Sequence, residues 1–129
     1  MQLMTKAIEQ AAQKQYPKGS DMEQQIVAKF FDPTGSWSWF VMNQDPEDPD
    51  YLWGIVSLGT LDSALVDGYE VEMGSFSLSE LQAVKGPLGL GIERDLYFKP
   101  TTAAEVWKKL TTGEAAALIS GSFSLGGRE

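Results

Sequence analysis

Cysteine and histidine are both absent from this chain of 129 residues. Without cysteine no disulfide can form, and a cytoplasmic location is expected. Without either residue, His- or Cys-ligated zinc is excluded, as are the Ser-His-Asp and Cys-His triads. Any catalysis would fall to carboxylates, Lys, Arg, Tyr or Ser. Positive charge is also scarce: 10 Lys and Arg stand against 18 Asp and Glu, a net charge of −8. A nucleic-acid binder needs a basic footprint. No direct nucleic-acid binding is therefore expected, and a protein partner with a basic surface suits the charge better. No apolar run approaches the ~20 residues of a membrane span, and Met-Gln-Leu-Met-Thr-Lys lacks the apolar core of a signal peptide. No membrane association is expected.

The remaining composition, 43% hydrophobic and 11% aromatic, reads as one globular α+β domain over residues 1–129, with 110–129 as a loosely attached tail. The pattern predicts one antiparallel sheet of four or five strands. An N-terminal helix and short helices pack on it. Residues 1–16 have helical spacing in Ile8, Ala11, Ala12 and Tyr16, with Thr5 as N-cap and Pro17 and Gly19 as terminators.

Residues 24–31 and 36–42 read as a hairpin around Asp32-Pro33-Thr34-Gly35. Alternation puts Ile26, Ala28 and Phe30 on one face and Val27, Lys29 and Phe31 on the other. Lys29 is expected to snorkel to the sheet edge. Trp37 and Trp39 form a ridge that packs in the core or stacks on a partner. Residues 43–50 read as a polar loop with four carboxylates. It lacks the glycine and distal glutamate of a calcium loop, so no metal and no cofactor are expected.

A central strand over 51–58 follows, with Gly54 marking a bulge or close packing. A strand over 69–76 leads into the capping box Ser77-Leu78-Ser79-Glu80 and a helix over 78–84. Thr102-Ala103-Ala104-Glu105 opens a last helix carrying Val106, Trp107 and Leu110.

Two candidate sites stand out. Gly86-Pro87-Leu88-Gly89-Leu90-Gly91 is a compact turn that leads into the polar cluster Glu93, Arg94 and Asp95 and a fifth strand over 96–98. It has neither a P-loop ending nor a following helix. Arg94 points to the core on this register and needs a carboxylate or carbonyl partner. The second candidate is a charge bias: between Asp45 and Glu72 there are eight carboxylates and no Lys or Arg. Glu47, Asp48, Asp50 and Asp67, with Tyr51 and Trp53 as aromatic anchors, form the expected partner-binding surface.

The stretches Val27-Ala28-Lys29-Phe30-Phe31-Asp32-Pro33, Trp37-Ser38-Trp39, Trp53-Gly54-Ile55-Val56, Glu72 to Leu81 and Gly86 to Phe98 together resemble the family known as domain of unknown function 2958. They cover most of residues 25–100, in order. The segment 60–68 is longer than the family pattern, and the tail beyond Thr111 is an addition to it. The resemblance implies a small protein of plasmids, phages and other mobile elements. It carries over no catalytic residue. The composite expectation is a non-enzymatic interaction module of a phage or plasmid, an antirestriction or anti-CRISPR-like inhibitor acting through an acidic surface. The alternative is a small-ligand or carboxylate-based enzyme domain built on Glu93, Arg94 and Asp95.

Overall fold

The computed structural model describes residues 2–60 and 69–112. Five antiparallel strands form one sheet: β1 (Ala28–Phe31), β2 (Ser38–Asp45), β3 (Asp48–Thr60), β4 (Tyr69–Ser77) and β5 (Glu93–Arg94). Their spatial order is β4-β3-β2-β1-β5. Three helices cover it: α1 (Lys6–Lys14), α2 (Leu78–Ala83) and α3 (Ala103–Thr111). The α+β expectation holds, with helices on both faces.

All three helices start where their caps specify. The hydroxyls of Thr5, Ser77 and Thr102 accept from the amides of Ile8, Glu80 and Glu105, each relieving one unpaired donor of the first turn. On one face Leu3, Met4 and Ala12, from the N-terminal segment and α1, meet Leu81 of α2, Ile92 and the sheet residues Ala28, Phe30, Trp39, Val41 and Leu52. On the other face Ala103, Val106 and Leu110 of α3 close over Ile26, Phe40, Met42 and Ile55. The helices on both faces explain why nearly all of β2 is buried.

Four local expectations fail, each for a physical reason. The first strand starts at Ala28, not at Gln24, and the alternation breaks before it. Ile26 belongs to the α3-side core while Val27 packs with the α1-side core. The chain is held there by Ile26 N–H donating to Thr101 C=O and Val27 N–H to Val41 C=O.

Residues 43–50 form no open loop. β2 and β3 run to a tight turn at Pro46-Glu47, where Asp45 Oδ1 accepts the Glu47 amide at 2.8 Å. Asn43 and Gln44 are buried strand residues because their amides are bonded: Asn43 Nδ2 donates to Gly19 C=O and Gln24 Oε1, and Gln44 Nε2 to Pro49 C=O. Pro49 sits in a strand because the ladder skips from Asp48 to Leu52 at a bulge.

The fifth strand is Glu93–Arg94, pairing with Phe31 and Phe30, and residues 96–98 are a turn. Asp95 Oδ1 accepts the Tyr97 amide at 2.9 Å, which turns the chain and leaves Leu96 and Tyr97 64% and 69% exposed. Finally, Lys29 does not snorkel. It is 0% exposed, on the α3 side of β1.

Gly54 explains how closely β2 and β3 pack at their second bulge. A Cβ built there would lie 1.9 Å from the Phe40 carbonyl oxygen, whereas one at its β4 partner Gly74 meets nothing within 4 Å. Gly54→Ala is expected to lower the urea-unfolding free energy by about 2 kcal/mol or more. Gly74→Ala should stay within about 1 kcal/mol of wild type. Equal losses for the two would show that Gly54 is not set by this contact.

Candidate functional site

The polar cluster after the glycine loop is held together in sequence but divided in space. Asp95 turns inward: its Oδ2 lies 3.3 Å from Lys29 Nζ, and both side chains are removed from water. The ammonium also lies 5.9 Å from the ring centroids of Phe31 and Phe40, near enough for a cation–π attraction. Asp95 N–H donates to Lys29 C=O at 2.9 Å, so backbone and side chain couple the same two residues. Burial pulls the Lys29 ammonium below the usual lysine range, and the Asp95 carboxylate pushes it part of the way back.

Arg94 does something else. Its Nη1 donates to the carbonyls of Gln2 and Leu3, the latter at 3.1 Å. It ties the segment before α1 to the sheet edge, with the buried Leu3 beside it. Glu93, half-buried, lines a cavity of about 310 Å³ together with Leu3, Lys85, Gly89 and Ile92. The loop closes on its own backbone: Gly86 N–H donates to Leu90 C=O at 2.7 Å and Gly89 N–H to Gly86 C=O at 3.1 Å. Leu88 at its tip has a left-handed backbone, φ 68°, and is 90% exposed. The chain direction puts this loop beside the β1–β2 turn, near Thr34. Trp37, Val84 and Leu90 are exposed at the same end. Trp39 is buried, with its ring centroid 6.1 Å from that of Trp37.

The opposite end of the sheet is acidic. The β2–β3 turn carries Asp45, Glu47 and Asp48, and Asp50 follows on β3. Asp50 is fastened to the start of α2: its carboxylate accepts from the Ser77 hydroxyl and the Ser79 amide, both at 2.6 Å. Those bonds, the Ser77 one first, hold its carboxyl below the usual range. Asp48, Asp50, Tyr51, Phe76 and Glu80 line a cleft of about 270 Å³.

Tyr16, after α1, donates to Asp45 at 3.3 Å, and the Asp45 charge raises its phenol above the usual value. Asp45 is engaged by Tyr16 and Asp50 by Ser77 and Ser79, while the ion pairs Lys29–Asp95 and Lys109–Glu105 lie elsewhere. Of the sequence candidates, Glu47, Asp48, Asp50 and Tyr51 come together here. Trp53 packs towards the α3-side core, and Asp67 lies outside the described residues. Glu80 and Phe76 join the cleft without having been foreseen. The capping box that fixes where α2 starts was the signal that could have placed Glu80.

A five-stranded antiparallel sheet with helices on both faces, one acidic end and one apolar end defines a small α+β domain. No helix among the described residues is long and apolar enough to cross a membrane. Residues 1–118 match the family described as Protein of unknown function (DUF2958), and the chain belongs to it. No curated protein and no solved structure matches the chain.

The Lys29–Asp95 pair gives a measurable signature. Asp95→Asn is expected to cost about 3–5 kcal/mol, because it leaves a buried ammonium without its carboxylate, and the double change Lys29→Met with Asp95→Leu should cost less. Because the folded chain holds the Lys29 proton more weakly than the unfolded chain, stability rises with pH between its lowered pKa and the ordinary 10.5. Urea titrations across that range should show wild type gaining relative to Lys29→Met. Parallel pH curves would place Lys29 in water.

Proposed function

We propose that this protein is a non-enzymatic protein-interaction module of a phage or plasmid. On this reading it is an anti-defence inhibitor, antirestriction or anti-CRISPR-like, which occupies a basic patch on its partner through the acidic end of the sheet. The observation that carries the reading is the cleft lined by Asp48, Asp50 and Glu80, with Tyr51 and Phe76 in its walls. Carboxylates around an aromatic wall suit a Lys or Arg side chain, by ion pairing at the rim and stacking within. Carboxylates gathered at one end of the sheet set up a negative field that speeds encounter with a positively charged surface. Defence proteins that handle nucleic acid present such surfaces, and the mobile-element context implied by the family resemblance supports that class of partner.

The alternative, a small-ligand or enzymatic site on Glu93, Arg94 and Asp95, keeps one supporting observation: Glu93 lines the cavity beside the glycine loop. Against it stand the engagements of Arg94 with backbone carbonyls and of Asp95 with Lys29. Neither side chain is then available to the cavity without giving up a structural contact.

The test uses Glu47→Gln, Asp48→Asn and Glu80→Gln together. Asp50 is kept because it fastens Ser77 and Ser79. A partner is captured from host cells, then titrated with both chains at several salt concentrations. The triple variant should bind at least about tenfold more weakly and with a flatter salt dependence. Unchanged affinity and salt slope in a normally folded variant would refute the acidic-surface reading. A stoichiometric small molecule that co-purifies and binds through Glu93 would favour the alternative.

A further inference from the structure

The sheet has two unequal edges. β5 closes one with two residues, whereas β4 ends the other with nine, Tyr69–Ser77. Among the described residues no strand pairs with the outer side of β4. From Val71 to Ser77 its ladder with β3 is unbroken. Every second residue there turns both its amide and its carbonyl outward, in a regular row. Proteins normally blunt such an edge with proline, lysine, a bulge or a covering segment. β4 contains neither proline nor lysine, and its register shift falls before Val71.

The side chains along the edge define what it would accept. Phe76 packs with the α1-side core, Val71 and Met73 with the α3-side core. Alternation therefore puts Glu70, Glu72 and Gly74 on the Phe76 face. Glu70 and Glu72 are exposed and lie about 7 Å apart along the strand. A Cβ at Gly74 would meet nothing within 4 Å, so there is open space between Glu72 and Phe76. Beside Phe76 lies the cleft with Asp50 and Glu80. Across a ladder opposite charges attract and like charges repel. Antiparallel pairing with a second copy of this chain would put that copy's Glu70 and Glu72 on the same face, which the charge disfavours. A strand with Lys or Arg at alternate positions is favoured, and the space at Gly74 admits one of their aliphatic stems.

We infer that the outer side of β4 takes an extended segment of a partner protein as an added strand, its alternate Lys or Arg side chains facing Glu70, Glu72 and the cleft. In such additions main-chain bonds supply affinity and alternate side chains supply selectivity. The inference rests on the acidic-end reading for the charge of the partner and adds the form its basic element takes.

The probe is a synthetic peptide of about eight residues, Arg or Lys alternating with Thr or Val, titrated with the full chain at low salt. Two N-methylated forms, one methylated at the basic and one at the neutral positions, block opposite edges of the peptide. One form should bind at least about tenfold more weakly than the parent, and the other should bind like it. Glu70→Gln with Glu72→Gln should weaken binding about tenfold. Saturating peptide should slow exchange of the outward β4 amides by about tenfold or more and leave the β1 and β2 amides unchanged. Equal effects of the two methylations would overturn the inference. If Glu47→Gln, Asp48→Asn and Glu80→Gln together still weakened that binding, the acidic-end reading would stand without it. Failure of the peptide to bind would also overturn the inference, and the salt titration with the captured partner then judges the acidic end on its own. So would β4 amides as protected as those of β2 in the free chain: at every dilution, this would mean that the chain covers its own edge, and protection that weakens on dilution would assign the edge to a second copy.

Discussion

A two-residue strand cannot hold a sheet edge by its ladder alone. The edge next to β1 is held instead by side chains that reach across it, and the buried Lys29–Asp95 pair is the central one. It fixes where the chain leaves β5. From that point Arg94 reaches back to the segment before α1, and Phe98 lies edge-on to Phe40 at 6.0 Å. An ion pair in this setting adds little net stability over an apolar pair of the same shape. What it does is couple residue 95 to β1: moving Asp95 away would leave the Lys29 ammonium buried without its carboxylate, so the start of the connection to α3 is tied to the sheet.

A second polar device sets the other end of the sheet. Gln24, Asn43 and Gln44 are all buried, and each is satisfied. Gln13 and Gln15 of the first helical segment add bonds to Gln44 Oε1 and to the Met42 carbonyl. Amides carry a donor and an acceptor on one short stem. They can therefore hold the irregular backbone of the β2–β3 bulges where a regular ladder cannot. The acidic turn extends from this hydrogen-bonded base.

Features written in adjacent residues were legible in the sequence. Three cap residues, the Asp32–Gly35 turn and the glycine within β3 each act over a few positions, and each appears in the fold where its local chemistry puts it. The partners of Lys29 and Gln44 lie far off in the chain. Lys29 pairs with a residue 66 positions away, and a lone lysine in an apolar strand looks the same whether it is paired or snorkelled. The run from Asn43 to Asp50 has the polarity of a loop, and polarity alone does not separate exposed side chains from buried, bonded ones. It is a strand pair because other amides satisfy its amides inside the protein. The acidic end was legible as a charge bias, but its cleft was not, since Glu80 reaches it only once α2 is capped by Ser77. Arg94 is half-buried rather than in the core, and its acceptors are the Gln2 and Leu3 carbonyls, more than 90 positions away in the chain and so not legible from its neighbours.

Leu88 is the one non-glycine residue with a left-handed backbone among the described residues. A left-handed backbone costs a leucine about 1–2 kcal/mol relative to its ordinary conformations, and glycine would occupy the same turn without that penalty. The side chain recovers nothing by burial, since it stands 90% in solvent. Glycine or asparagine at position 88 would give a more stable protein. At the end of the molecule away from the acidic cleft, the turn therefore holds a conformational cost that no burial of the Leu88 side chain offsets.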